Sequence, residues 1–214
     1  KLFEPIKIGN VELKNRVIMA PMENGMAEVG TGEVTDRIIA FFEERAQHNI
    51  AMIMPGSIGV SPEGRGLPTQ LSLFDEKQVA GHKRLVDAIH SKGSLVAAQL
   101  YHAGRQASEA ITGLDPLAPS AIPCGILQNH PKEITHEQMD RIKEQFRQAA
   151  RWSIEAGYDI VEVHFAHGYL LHSFMSTHTN HRTDEYGGSF ENRIKYPMDV
   201  LKTVIDEVNG EVPV

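Results

Sequence analysis

APMENGMAEVGTGEV, residues 20–34, connects the first predicted strand to the first predicted helix. In a doubly wound dinucleotide-binding sheet, this connection carries glycines in the spacing Gly-x-Gly-x-x-Gly, which lets the backbone approach a pyrophosphate. The glycines of this segment, Gly25, Gly30 and Gly32, do not have that spacing. The segment therefore favours the other common parallel α/β architecture, a (β/α)8 barrel.

Strand and helix patterns alternate along the whole chain. Near-continuous apolar strands followed by amphipathic helices predict a parallel sheet that is covered by helices. The predicted strands are residues 16–20, 49–56, 94–100 and 158–163, and VPV at residues 212–214 is predicted to open a fifth. The predicted helices span about 36–48, 75–91, 136 onward and 190–208.

Capping residues and apolar spacing mark the predicted helices. Asp75 is placed to cap the second helix, and Thr135 with Gln138 fits a capping box at the start of the third. Apolar residues three or four positions apart predict the buried face of each helix. These residues are Ile38, Phe42 and Ala46 in the first helix, Met139, Ile142, Phe146 and Ala149 in the third, and Ile194, Met198, Leu201, Ile205 and Val208 in the fourth.

A predicted hairpin at residues 6–13, turning at Gly9 and Asn10, also favours the barrel, because it would plug the barrel floor. A complete barrel needs roughly 250 residues. We therefore expect residues 1–214 to form the N-terminal part of a single barrel domain, with strands 1–4, their helices and the start of strand 5. The remainder of the barrel is expected beyond Val214.

Composition narrows the classes of partner and location. The chain is 41% hydrophobic and 23% charged, with a formal net charge of -7, and its basic residues are scattered. Such a distribution predicts neither nucleic acid nor an anionic membrane as a partner. Cys124 is the single cysteine, which excludes an internal disulfide and suits a reducing cytosol. No apolar run approaches the ~20 residues of a membrane span, so we expect a cytoplasmic protein.

Two histidines and a tyrosine follow the fourth predicted strand in VEVHFAHGYLLHSF, residues 161–174. Barrel enzymes carry their active sites at the carboxyl ends of the strands. His164 and His167 could bind a metal, act as acid or base, or donate hydrogen bonds to an oxygen that becomes negative, and Tyr169 follows directly. They could also be structural, which is the favoured interpretation for the nearby histidines, His172, His178 and His181.

Further polar and small residues mark the other strand ends. We predict no metal site, because strand 1 ends in Pro21 and Met22, whereas barrel metallohydrolases place a His-x-His pair there. Pro21 and Met22 could meet a flat ligand or simply pack. Gln99 could pair with a ligand edge that carries a carbonyl beside an N–H, as in a flavin or nucleobase, or it could cap a neighbouring loop.

Three blocks resemble the Old Yellow Enzyme flavoproteins, also called NADH:flavin oxidoreductases. They are LFEPIKIGNVELKNRVIMAPM at 2–22, QLYHAGR at 99–105 and HGYLLHSFMSTHTNHRTDEYGGSFENR at 167–193. The resemblance implies a (β/α)8 barrel that binds FMN, and it implies that Pro21, Met22, Gly56 and Gln99 surround the flavin ring. It further implies that His164 and His167 hold the carbonyl oxygen of an activated alkene, and that Tyr169 donates a proton.

The implied activity is reduction of activated C=C bonds in α,β-unsaturated carbonyl or carboxyl compounds, with electrons from NADH or NADPH. We expect a small unsaturated molecule as substrate and a homo-oligomer. The opening block also resembles the larger enoate and 2,4-dienoyl-CoA reductases, whose iron–sulfur cluster and FAD domain would lie beyond Val214. The alternatives are a metal-dependent barrel hydrolase that uses His164 and His167, and a non-catalytic half-barrel fragment.

One position departs from the family pattern. Many members have Thr or Cys after the Pro-Met pair, in contact with the flavin, whereas this chain has Glu23. A carboxylate there would repel a reduced anionic flavin. We therefore expect the Glu23 side chain to point away from the cofactor. Arg182, Asp184, Tyr186, Glu191 and Arg193 belong to the third block and are expected to be structural ion-pair and turn residues.

Overall fold

The computed structural model of the chain describes residues 1–127 and 129–214. The strands are short, and several of them are only the hydrogen-bonded centres of the apolar runs that the sequence predicts. In chain order they are β1 (Ile6–Ile8), β2 (Val11–Leu13), β3 (Ile18–Met19), β4 (Met52–Ile53), β5 (Ser57–Gly59), β6 (Leu95–Tyr101), β7 (Leu117–Ala118), β8 (Lys132–Glu133) and β9 (Ile160–Val163).

The central sheet is parallel throughout. β3 pairs with β4, β4 pairs with β6, and β6 pairs with β9. β4 lies within the second predicted strand, residues 49–56, whereas β5 begins just beyond it at Ser57 and pairs with Gln99–Tyr101 of β6. Strands that are successive in sequence are thus neighbours in the sheet, as in a (β/α)8 barrel.

The α-helices are α1 (Asp36–Ala46), α2 (Val79–His90), α3 (Glu109–Thr112), α4 (His136–Glu155), α5 (Leu170–Met175) and α6 (Phe190–Val208). The predicted caps are confirmed. Asp75 caps a 3-10 turn, Glu76–Gln78, that leads into α2, and Thr135 forms a capping box with Gln138 at the start of α4. The predicted apolar faces of α1 and α4 are buried. No helix in the described residues is long and apolar enough to cross a membrane.

The predicted buried face of α6 is confirmed only at Val208 and is otherwise wrong. Met198 and Ile205 are 48% and 47% exposed. The buried residues lie on an adjacent stripe: Tyr196, Pro197, Val200, Val204 and Val208. Two apolar stripes run along this helix, and packing against α4 and α5 selects the one with Tyr196, whose hydroxyl donates to the backbone oxygen of Met139 at 3.1 Å.

The β1–β2 hairpin closes one end of the sheet interior, as predicted. β1 and β2 are antiparallel, and Leu13 is fully buried in a cluster with Met52, Ala97 and Ile160. The predicted fifth strand is not formed, but its residues lie beside β9. The N–H of Val161 donates to the oxygen of Pro213 at 3.0 Å, which places residues 212–214 beside β9 although they form no strand of their own.

Candidate active site

A polar layer crosses the sheet interior above the hairpin. Ser57, Gln99 and Glu162 are register partners on the adjacent strands β5, β6 and β9. Side chains two positions apart point to the same face of a strand. Because Ala97 and Ile160 pack against the hairpin on the inner face, Gln99 and Glu162 face inward as well. The interior therefore changes from apolar to polar toward the carboxyl ends of the strands.

The next layer outward contains the predicted catalytic residues. The ring centroids of His164 and His167 are 5.1 Å apart, and those of His164 and Tyr169 are 5.0 Å apart. The His167 and Tyr169 centroids are separated by 6.3 Å. The structure thus brings these three side chains together at the end of β9. His164 is buried, Tyr169 is half-buried and His167 is exposed.

The surroundings of His164 define its protonation. The backbone N–H of Ala166 donates to Nδ1 of His164 at 3.1 Å. Burial, with a smaller contribution from the neighbouring His167, lowers the pKa of His164 to about 4. The ring is therefore neutral near pH 7 and carries its proton on Nε2. His164 can donate a hydrogen bond from Nε2 to a ligand.

The backbone between the two histidines is held in an uncommon conformation. His167 has a φ of +60°, in the left-handed region that non-glycine residues rarely adopt. Its carbonyl oxygen accepts from Nε2 of Gln106 at 2.6 Å. The N–H of Gly168 donates to Nδ1 of His172 at 3.1 Å, so His172 fixes the loop, as its structural interpretation predicts. These contacts hold the backbone on the carboxyl side of His167 in place.

Tyr169 packs against Tyr101, Ala103 and Ala107. Its ring meets the edge of Tyr101 at a centroid distance of 5.0 Å. Burial, and secondly the negative charge of Glu23, raise the pKa of Tyr169 above its usual range. The phenol is therefore protonated at physiological pH and can act as a proton donor.

A hydrogen-bond network that sequence analysis missed supports Tyr101. The Tyr101 hydroxyl donates to Oε1 of Gln70 at 2.6 Å and accepts from the N–H of Gly66 at 3.0 Å. Nε2 of Gln70 donates to Oε1 of Glu23 at 2.8 Å. The backbone N–H and hydroxyl of Ser57 donate to the same Glu23 oxygen, at 3.0 and 2.6 Å. The Glu23 carboxylate, in the connection after β3, is thus joined through Gln70 to Tyr101, whose ring contacts Tyr169.

The predicted flavin-contacting residues lie around this network. Pro21 is half-buried and Met22 is 59% exposed, and both follow β3. Gly56 is buried with a φ of +117°, and a Cβ atom there would lie 3.3 Å from the Met22 oxygen and 3.4 Å from Oε1 of Glu23. Glycine therefore allows the two strand ends to approach each other. Gln99 is 7% exposed.

Gln99 has a partner that the sequence does not reveal. Its Nε2 donates to Oε1 of Glu162 on the adjacent strand. In the motif VEVH, the alternation of a strand places Glu162 on the face opposite to Val161 and Val163. Alternation does not reveal its partner Gln99, which lies 63 positions away and is brought beside it by the sheet register. The carboxamide therefore lies in the interior and does not cap a loop.

The loop after the site is held by ion pairs and backbone contacts, as expected. Arg182 pairs with Asp184, and its guanidinium also donates to the backbone oxygen of Ile134 at 2.8 Å. Nε of Arg193 donates to the oxygen of Met175 at 2.8 Å. No group of three or more His, Cys, Asp or Glu side chains arranged to hold a metal ion occurs in residues 1–127 and 129–214.

The chain belongs to the NADH:flavin oxidoreductase / NADH oxidase family, whose sequence profile matches residues 1–214. It is 39% identical over 215 residues to an NADH oxidase of Thermoanaerobacter brockii, covering 100% of this chain and 33% of that protein. It is 39% identical over 208 residues to an NADPH dehydrogenase of Bacillus subtilis, covering 97% of this chain and 60% of that protein.

The fold is also that of solved members of the group. The structure of Old Yellow Enzyme from a Pichia species superposes with a TM-score of 0.91 at 34% identity, covering 99% of this chain and 58% of that chain. The resemblance to Old Yellow Enzyme and the prediction of a partial TIM barrel are confirmed. The chain spans between a third and three fifths of the length of these relatives.

Proposed function

We propose that this chain contributes to an FMN-dependent oxidoreductase that uses NADH or NADPH to reduce the activated C=C bond of an α,β-unsaturated carbonyl or carboxyl compound. The observation that carries this proposal is the cluster of His164, His167 and Tyr169 at the end of β9, in a chain of the NADH:flavin oxidoreductase family. Relatives named NADH oxidase and NADPH dehydrogenase support the two nucleotide reductants. The substrate class rests on the site residues.

The residues at the strand ends fit a flavin. The segment at Pro21 and Met22 after β3, the Cβ-free surface of Gly56 and the inward carboxamide of Gln99 lie around one part of the interior. A carboxamide can donate and accept at once, which matches the alternating carbonyl and N–H groups of the flavin pyrimidine ring. We propose that these four residues hold FMN, which when bound supplies hydride to the alkene.

His164 would bind the substrate carbonyl oxygen. Its Nε2 carries a proton because Nδ1 is already occupied by the Ala166 N–H. His167, with its backbone fixed by Gln106, would provide the second donor. As the alkene is reduced, charge accumulates on this oxygen, and each donor aimed at it typically contributes on the order of 3 kcal/mol. The neutral His164 imidazole polarises the alkene through its Nε2–H without requiring a cation at that position.

Tyr169 would then protonate the α-carbon. Burial is the main cause of its raised pKa, so the hydroxyl stays protonated and can transfer its proton to the α-carbon. The edge-on contact with Tyr101 fixes the ring plane of Tyr169. In this proposal, His164 and His167 bind the carbonyl oxygen and Tyr169 delivers the proton.

Phenol binding to the flavin-loaded protein tests this assignment. Phenolates resemble the enolate that the histidines would stabilise. Their binding beside a flavin is measured by the charge-transfer absorbance band that it produces. We expect the double variant H164A/H167A to retain FMN but to bind p-chlorophenol at least ~100-fold more weakly, the effect of losing two oxyanion donors. The exposed His178, changed to Ala, is the matched control and should leave phenol affinity unchanged.

Two results would contradict the proposal. If the flavin-loaded double variant bound phenol as tightly as the wild type, the histidines would not form the oxygen site. If the wild-type protein bound no flavin after reconstitution with FMN, the cofactor assignment would be wrong. An enzyme that bound phenol but oxidised neither NADH nor NADPH would contradict the proposed reductants.

A further inference from the structure

Glu162 stands directly beside the carboxamide of Gln99. The two residues are register partners on β9 and β6, and both side chains face the interior. Nε2 of Gln99 donates to Oε1 of Glu162. Glu162 is half-buried, whereas Gln99 is 7% exposed. In the described part of the chain, Glu162 is the hydrogen-bond partner of the Gln99 side chain.

The other neighbour of Gln99 is already engaged. Ser57, its register partner on β5, directs its hydroxyl and N–H to Glu23. The backbone oxygen of Ser57 accepts from Nε2 of Gln70. Among the described residues, Ser57 therefore makes no hydrogen bond with the Gln99 side chain. The orientation of the Gln99 amide therefore depends on Glu162, its neighbour on β9.

An ionised carboxylate can only accept hydrogen bonds. The amide oxygen of Gln99 would repel it, so the amide nitrogen must face Glu162. A flip of the Gln99 side chain by half a turn would replace an attractive contact with a repulsive one. One N–H and the amide oxygen of Gln99 have no side-chain hydrogen-bond partner among the described residues. Because nitrogen and oxygen lie on opposite sides of a carboxamide carbon, turning the nitrogen to Glu162 turns the oxygen away from it.

We propose that Glu162 is a positioning residue that fixes the polarity of the Gln99 amide, so that the site selects a heterocycle whose edge presents an N–H donor to the Gln99 oxygen. The inference rests on the proposed function, in which that heterocycle is the flavin pyrimidine ring with its N3–H. Glu162 does not itself meet the ligand in this account. It makes Gln99 an acceptor at one defined place.

A pair of flavins separates this role from a merely structural one. FMN carries the N3–H donor, and 3-methyl-FMN does not. We expect the wild-type apoprotein to bind FMN about 10-fold more tightly than 3-methyl-FMN, the scale of one hydrogen bond whose buried acceptor is otherwise left unsatisfied. In E162Q the neighbouring amide can accept or donate, so Gln99 can flip, and the preference should fall to about threefold or less.

Flavin fluorescence quenching gives both dissociation constants. E162Q preserves side-chain volume, so a changed preference cannot come from a cavity, and E162A is measured alongside it. Glu155→Gln, an exposed substitution on α4, is the control and should retain the wild-type preference. Circular dichroism checks that each variant is folded.

The outcomes are distinct for the two proposals. A wild-type preference that persists unchanged in folded E162Q and E162A overturns the role of Glu162 while leaving FMN binding intact. Equal affinity of the wild type for both flavins also overturns it. A wild-type protein that binds neither flavin overturns the proposed function itself.

Discussion

Ser57 donates both its backbone N–H and its hydroxyl to one carboxylate oxygen of Glu23, at 3.0 and 2.6 Å. A third donor, Nε2 of Gln70, reaches the same oxygen at 2.8 Å. These hydrogen bonds hold the Glu23 carboxylate against the start of β5 and fix the orientation of its side chain. That it points away from a bound flavin stays a prediction.

Removing this carboxylate should destabilise the protein. Glu23→Ala leaves the N–H of Ser57 and one N–H of Gln70 without their acceptor, and hydrogen bonds to charged groups contribute about 2 kcal/mol each at partly buried positions. We expect the free energy of unfolding to fall by about 1–3 kcal/mol in urea titrations. Glu23→Gln retains an acceptor oxygen and should lose less.

Glu28→Ala is the matched control, because Glu28 is an exposed acidic residue in the same connection. Its loss should change stability by less than about 0.5 kcal/mol. If Glu23→Ala were equally mild, the three hydrogen bonds would contribute nothing measurable.

Tyr169→Phe should separate the two halves of the proposed reaction. The hydride step needs only a polarised carbonyl, so enone-dependent oxidation of the reduced flavin should retain most of its rate. Turnover of alkenes that are slow to protonate should fall about 100-fold or more, the scale for losing a general acid. Stopped-flow absorbance measures the first step, and product analysis measures the second.

Tyr101→Phe is the companion variant, since it removes the hydroxyl that joins Gln70 but keeps the ring under Tyr169. Tyr101→Phe should lower the free energy of unfolding and should leave the rate of substrate protonation nearly unchanged. Equal losses of both half-reactions in Tyr169→Phe would make Tyr169 a positioning residue instead of the proton donor.

Local patterns in the sequence predicted most of what lies within one element. The caps at Asp75 and Thr135 depend on residues three positions away, and both are confirmed. The prediction for the buried face of α6 was wrong except at Val208, because two apolar stripes satisfy the same spacing and only packing against α4 and α5 distinguishes them. The sequence cannot supply that tertiary choice.

The candidate site divides in the same way. His164, His167 and Tyr169 lie within six residues, and the structure brings them together. Glu162 was missed because its hydrogen bond to Gln99 joins residues 63 positions apart in the sequence. The Glu23 network was missed for the same reason, since its donors lie 34 and 47 positions along the chain.

Stability should fall as the pH drops below about 6.5. His82 is fully buried, and burial lowers its pKa to about 4. Its Nε2 lies 3.0 Å from the Ser72 oxygen and its Nδ1 lies 2.8 Å from the Tyr158 hydroxyl, so the neutral ring is satisfied. Between pH 6.5 and 4 the unfolded chain binds a proton that the folded protein does not, which favours unfolding.

The full effect is about 3 kcal/mol for one such imidazole, complete near pH 4 and absent above pH 7. His82→Gln, which can donate to Ser72 and accept from Tyr158, should flatten the dependence of urea stability on pH. The exposed His178→Gln should leave it unchanged. An identical slope in wild type and His82→Gln would show that His82 titrates normally.

Gly104 lies where the connection after β6 touches the start of α5. Its φ is +60°, and a Cβ atom there would lie 2.7 Å from both N and Cα of Leu170, the residue after Tyr169. Gly104→Ala must therefore displace the backbone that carries Tyr169. Gly113 has a φ of +70° but nothing within 4 Å of its added Cβ, so Gly113→Ala reproduces the backbone strain without the collision.

We expect Gly113→Ala to cost about 1 kcal/mol, the effect of a left-handed conformation alone. Gly104→Ala adds a clash with main-chain atoms and should cost about 1–3 kcal/mol more in urea unfolding. It should also weaken p-chlorophenol binding to the flavin-loaded protein, because Tyr169 moves with Leu170, whereas Gly113→Ala should not. If Gly104→Ala matched Gly113→Ala in both measurements, the start of α5 would be free to shift and would not fix the position of Tyr169.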